Sequence, residues 1–85
     1  MLNRDLVKKG LRLDVVATAN GGGVDMVVKE RGKSRVSSLS KGDVLIVEES
    51  PVKSRGRLVC KVRRALSQSV GYVRWSELRE IAVVA

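Results

Sequence analysis

The stretch Arg57–Arg64, RLVCKVRR, constrains the fold more than any other part of the chain. Its residues alternate: Leu58, Cys60 and Val62 fall on one side, Arg57, Lys61 and Arg63 with Val59 on the other. Successive side chains of a strand point to opposite faces, so this period predicts a half-buried β-strand. The same period recurs. Leu11, Leu13, Val15, Ala17 and Ala19 alternate with Arg12, Asp14, Val16 and Thr18. Val24, Met26 and Val28 share a face within residues 24–30. Val44 to Glu49 is apolar on both faces, which predicts a central strand, and Val70–Arg74 and Ile81–Val84 are further strands. Between them stand turn signals: Asn20 with the glycines 21–23, a polar basic loop over 31–41 with a short extended piece at Val36, a loop over 50–56 carrying Pro51, and a tight connection over 65–69. Ser76 to Arg79 reads as one helical turn capped by Ser76, and residues 1–9 as a single turn or an arm. The expectation is an all-β domain spanning residues 1–85, a small barrel or sandwich of five to six short strands.

Composition limits the chemistry. The chain has 85 residues and is 44% hydrophobic, enough for one small core and too much for a disordered basic tail. It has no His and one Cys, so neither a Ser-His-Asp or Cys-His mechanism, nor a Cys/His zinc site, nor a disulfide within the chain can be built. Cys60, set in an apolar run, reads as a buried inert thiol, with a reactive thiol tuned by nearby cations as the alternative. Glu48 and Glu49 are adjacent and should point to opposite faces of a strand, which rules them out as a paired acid and base. Glu77 and Glu80 read as a surface ion-pair cluster with Arg74 and Arg79, and Asp14, Asp25 and Asp43 are scattered. The glycines 21–23 lack the Lys-Ser/Thr that follows in a phosphate-binding loop. A non-enzymatic chain with no cofactor and no metal is therefore expected. A domain this small without a disulfide framework suggests a reducing, cytoplasmic setting. No signal peptide is visible, and uninterrupted apolar runs fall far short of the roughly 20 residues a membrane span needs.

The segments KGDVLIVEES at 41–50, GRLVCKVR at 56–63 and GYVRWSELREI at 71–81 together resemble an SH3-like small β-barrel with its helical turn near residues 76–79. Residues 41–59 are in addition similar to the KOW motif of ribosomal proteins and transcription elongation factors, with Glu48 and Glu49 where that family commonly has a Gly-containing turn. The resemblance implies a barrel that contacts RNA or serves protein interaction. It does not extend to polyproline binding, because Arg74 stands where those domains usually carry Pro and Glu77 where they carry an aromatic. Tyr72 and Trp75 are also the only aromatics in the chain, so the aromatic row cannot be assembled.

Charge supplies the functional expectation. Seventeen Lys and Arg stand against nine Asp and Glu, a formal net charge of +8. Residues 53–64 hold Lys53, Arg55, Arg57, Lys61, Arg63 and Arg64 with no acid, and residues 29–41 hold a second excess that includes Lys33 and Arg35. Alternation puts Arg57, Lys61 and Arg63 in one row, which Lys53 and Arg55 extend into the loop. A basic row is the footprint of a phosphate-binding surface. It also keeps a small domain soluble and its edges apart. If about five of these side chains neutralise phosphates on duplex DNA, log K should fall against log salt with a slope of about −4.5. The expected partner is DNA or RNA, held by its backbone with low sequence specificity, with base stacking limited to one platform at Trp75 or Tyr72 unless these pack in the core. An acidic protein surface is the alternative partner. The uncharged run Ile81–Ala85 either closes the barrel or pairs with a second chain as a homodimer.

Overall fold

A computed structural model describes residues 2–16, 24–30 and 32–85. After a 3-10 turn at Arg4–Leu6 come β1 (Arg12–Val15), β2 (Val24–Glu30), β3 (Lys33–Leu39), β4 (Val44–Ser54), β5 (Arg57–Arg64), β6 (Val70–Arg74), a helix α1 (Trp75–Ile81) and β7 (Ala82–Val84). The strands form one antiparallel sheet in the order β3-β2-β6-β5-β4-β1-β7. The all-β expectation holds, with two corrections: the described residues form seven strands rather than five or six, and their sheet is not closed, β3 and β7 being its two ends. The expected turn at Asn20 to Gly23 and the alternating Ala17 and Ala19 lie outside the described residues.

Alternation decides which face is buried. Leu13 and Val15 of β1, Val24, Met26 and Val28 of β2, Leu45 and Val47 of β4, and Cys60 and Val62 of β5 all lie in one core, and no polar or charged residue among those described is buried with them. Trp75, Leu78 and Ile81, three residues apart on α1, lay the helix onto that core. The helix is longer than the single turn expected. Arg74 rather than Ser76 is its N-cap, without a side-chain cap hydrogen bond.

Three departures from the sequence reading position the site. First, residues 33–39 are a full strand, not a loop with a short extended piece. They pair with β2 from Val24↔Leu39 to Glu30↔Lys33 although Lys33 to Val36 are all exposed, so backbone hydrogen bonding rather than burial makes this edge strand. Second, β4 continues through Pro51 to Ser54. Its register with β5 shifts between Val47 and Glu49 and again between Glu49 and Val52, so Pro51 sits where the ladder is irregular and no amide is needed. Third, the same irregularity overturns the expected opposition of Glu48 and Glu49. Glu48 pairs with Arg63 at 2.7 Å and Glu49 with Lys61 at 3.8 Å, and Arg63 and Lys61 share one face of β5.

The β4–β5 hairpin closes on Arg55 (φ 50°) and Gly56 (φ 79°). Positive φ at both central residues gives the twist that a two-residue hairpin requires, and glycine adopts it freely. Arg55 is strained there by about 1 kcal/mol, since a side chain in the left-handed region crowds the backbone. Arg55→Asn is therefore expected to raise stability by about 0.5–1 kcal/mol, measured by urea denaturation. An unchanged or lowered midpoint would contradict the strained turn.

Candidate nucleic-acid interface

The row of cations expected along residues 53–64 divides into two halves. The half toward the end of β5 is matched by acids. Lys61 faces Glu49, and Arg63 donates through Nε to Glu48 and through Nη1 to Gln68 at 2.6 Å. Arg64 has the parity of the buried residues Cys60 and Val62 rather than that of Lys61 and Arg63. It donates to Asp43 Oδ2 at 2.6 Å, Ser37 Oγ at 2.7 Å and the Ser38 carbonyl at 3.0 Å. Ser37 and Ser38 belong to β3, from which β5 is separated in the sheet by β2 and β6. Arg64 thus ties the curved sheet to its own far end, and Asp43 is held in turn by the Ser40 amide at 2.8 Å. Arg63 and Arg64 serve the fold.

The other half is free of acids. Among the described residues, Lys53, Arg55 and Arg57 have no carboxylate within ion-pair distance. They sit at the tip of the β4–β5 hairpin, all exposed. Beside that tip lies a cleft of about 400 Å³ lined by Lys53, Gly56, Arg57, Leu58, Arg74, Trp75, Ser76 and Arg79. Four of these side chains are cations and none is an acid. Arg74, exposed, lies 3.9 Å from the half-buried Glu77, and so long a pair at the surface is worth little in water. Arg79 has no acidic partner among the described residues. Sequence reasoning put Arg79 with the acids of the helical turn. Only the packing of α1 beside the hairpin brings it to Lys53 and Arg57.

Lys33 and Arg35 stand apart from this group. Both are exposed on β3, with β2 and β6 between them and β5. Of the two aromatics, Trp75 is 6% exposed and belongs to the core, its edge forming one wall of the cleft. Tyr72 is half-buried on the outer face of β6, with the ammonium groups of Lys29 and Lys61 at 5.7 and 5.9 Å from its ring centre. Lys29, on the outer face of β2, is a neighbour that the sequence pattern gave no reason to pair with Tyr72.

No family model, curated protein or solved structure matches the chain. The reading of the site rests on its chemistry.

Other candidate chemistry is weak. Cys60 is fully buried, its Sγ donates to the Glu49 carbonyl at 3.6 Å, and burial pushes its thiol up to about 11, far from a reactive thiolate at neutral pH. Among the described residues no group of three or more Cys, Asp or Glu converges as metal ligands. No described helix is long and apolar enough to cross a membrane. The C-terminal strand β7 pairs with β1 and is an end of the sheet, with Val83 and Val84 each 46% exposed.

Proposed function

We propose that the chain is a non-enzymatic nucleic-acid-binding module of SH3-like type, working in a reducing, cytoplasmic setting, that grips the phosphate backbone with low sequence specificity. The observation that carries this is the acid-free cleft, in which Lys53, Arg57, Arg74 and Arg79 surround one concavity. Like charges gathered around a concavity with no acid in its lining repel one another, and a polyanion that neutralises them gains both attraction and relief of that repulsion. The meander β4–β6 followed by a helix and a last strand supports the SH3-like reading, and the KOW-like residues 41–59 supply the hairpin that carries the free cations. The phosphate-binding residues in this reading are Lys53, Arg55, Arg57, Arg74 and Arg79. Arg63 and Arg64 drop out because acids hold them at 2.7 and 2.6 Å, and Lys61 because it stands beside Glu49 and Tyr72, outside the cleft.

The test is a fluorescence-anisotropy titration with a generic duplex of DNA and one of RNA at about 50 mM salt and upward. With about three to five phosphates neutralised, log K is expected to fall linearly with log salt, at a slope between about −2.7 and −4.5 for the DNA duplex. No binding at the lowest salt would refute the proposal. Recovery of an acidic protein partner that resists nuclease treatment, without nucleic-acid binding, would establish the alternative reading.

A further inference from the structure

The outer face of the sheet carries a second concavity. It measures about 380 Å³ and is lined by Val27, Lys29, Glu49, Val52, Lys53, Ser54, Val59 and Tyr72. Val27, Tyr72 and Val59 lie on neighbouring strands, joined by the pairs Val27↔Tyr72 and Lys61↔Tyr72. Three strand spacings separate β2 from β4 across this face, about 14 Å along the hydrogen-bonding direction. The floor is therefore one aromatic ring bordered by valines, and Val52 is 48% exposed at its rim. The rim is basic, with Lys29 on one side and Lys53 on the other. Glu49, the acid in the groove, is engaged by Lys61. Lys53 lines both this groove and the cleft beside α1, so the two basic concavities adjoin at one side chain on the hairpin arm.

A duplex has no use for such a floor, because its bases present edges and its surface is sugar and phosphate. A single strand exposes base faces that stack on an aromatic ring while its phosphates meet cations on either side. Building on the nucleic-acid reading above, we propose that the polyanion this protein takes is single-stranded, with one base seated on Tyr72 between Val27 and Val59. Its backbone runs past Lys29 and Lys53 toward the cleft of Arg57 and Arg79. Lys29 and Lys61 lie over the ring in the unbound protein; when a base arrives, the flexible stem of Lys29 swings aside to a neighbouring phosphate and that of Lys61 toward Glu49.

Binding of labelled oligonucleotides of equal length, single-stranded, duplex and single-stranded abasic, tests this at about 50 mM salt. The abasic strand keeps the phosphates and removes the stacking group. The intact single strand is expected to bind roughly 5- to 100-fold more tightly than the abasic one, the range typical of one stacked base, and more tightly than the duplex. Tyr72→Phe should keep that affinity within about twofold, and Tyr72→Ala should remove the preference for intact over abasic strand while leaving duplex binding unchanged. Equal affinity for intact and abasic strands overturns the proposal while leaving the backbone-binding reading in place. It needs no variant, so it decides the matter even if Tyr72→Ala fails to fold. Binding of no oligonucleotide overturns both readings. Displacement of the single strand by a glutamate-rich peptide from the wild type but not from Tyr72→Ala would assign the groove to an acidic protein instead.

Discussion

Replacing Gly71 by alanine is expected to destabilise the protein by about 2–3 kcal/mol, the upper range for forcing one methyl group into a filled space. A Cβ at this position would stand 2.6 Å from Met26 Cγ and 2.7 Å from the Val27 carbonyl oxygen. Met26 is a flexible side chain and can yield. The Val27 oxygen is backbone, in a strand tied on one side to β3 through Val27↔Val36 and on the other to β6 through Val27↔Tyr72. Val27↔Tyr72 is the pairing that joins the β2–β3 hairpin to the rest of the sheet, so the strand cannot retreat without opening that seam. For a domain of this size the expected fall in melting temperature is about 10–20 °C. Thermal denaturation by circular dichroism measures it. A Gly71→Ala variant melting with the wild type would mean that β2 does not cross β6 this closely.

Arg64→Ala is expected to cost about 2 kcal/mol, as when charge-assisted hydrogen bonds are removed from a partly buried group. Both Arg64 and its partner Asp43 have side chains 22% exposed, shielded enough from water for the interaction to count. Removal of the guanidinium leaves Asp43 without its cation and cuts the link to Ser37 and Ser38 of β3. Lysine would restore the charge but not the fork that reaches Asp43 and β3 at once, so Arg64→Lys should recover only part of the stability. Polyanion binding per folded molecule should be unchanged in both variants. A stable Arg64→Ala protein with weakened binding would return this residue to the interface.

The strands were legible wherever one face is apolar. The period of two in residues 57–64 and 24–30 predicts β5 and β2 at their observed bounds, because burial there is what orders the chain. β3 was not legible, since an edge strand whose first four residues are exposed takes its order from the hydrogen bonds of its neighbour and leaves no hydrophobic signature. The length of β4 was hidden by Pro51, which reads as a loop until the register shift places it outside the regular ladder. The candidate site was half legible. Composition along residues 53–64 finds the cations, but what decides their availability is the acids facing them. Those acids lie 15 residues away for Arg63, across a bulged strand pairing, and 21 for Arg64, just before β4, and local reading reveals neither. Arg79 and Lys29 were missed for the same reason in reverse: each joins its site only through packing with a distant segment.

The central claim is that the free cations of the cleft, not the acid-paired cations of the strand, meet the phosphates. Its most direct test compares the salt dependence of duplex DNA binding for wild type, for Lys53→Ala/Arg57→Ala/Arg79→Ala and for Lys61→Ala/Arg63→Ala. The first variant should flatten the slope by about 2.7, one increment of about 0.9 for each phosphate no longer neutralised. The second should leave the slope within about half a unit of the wild type. A flattened slope in the second variant with none in the first would place the phosphates along the strand and contradict the account.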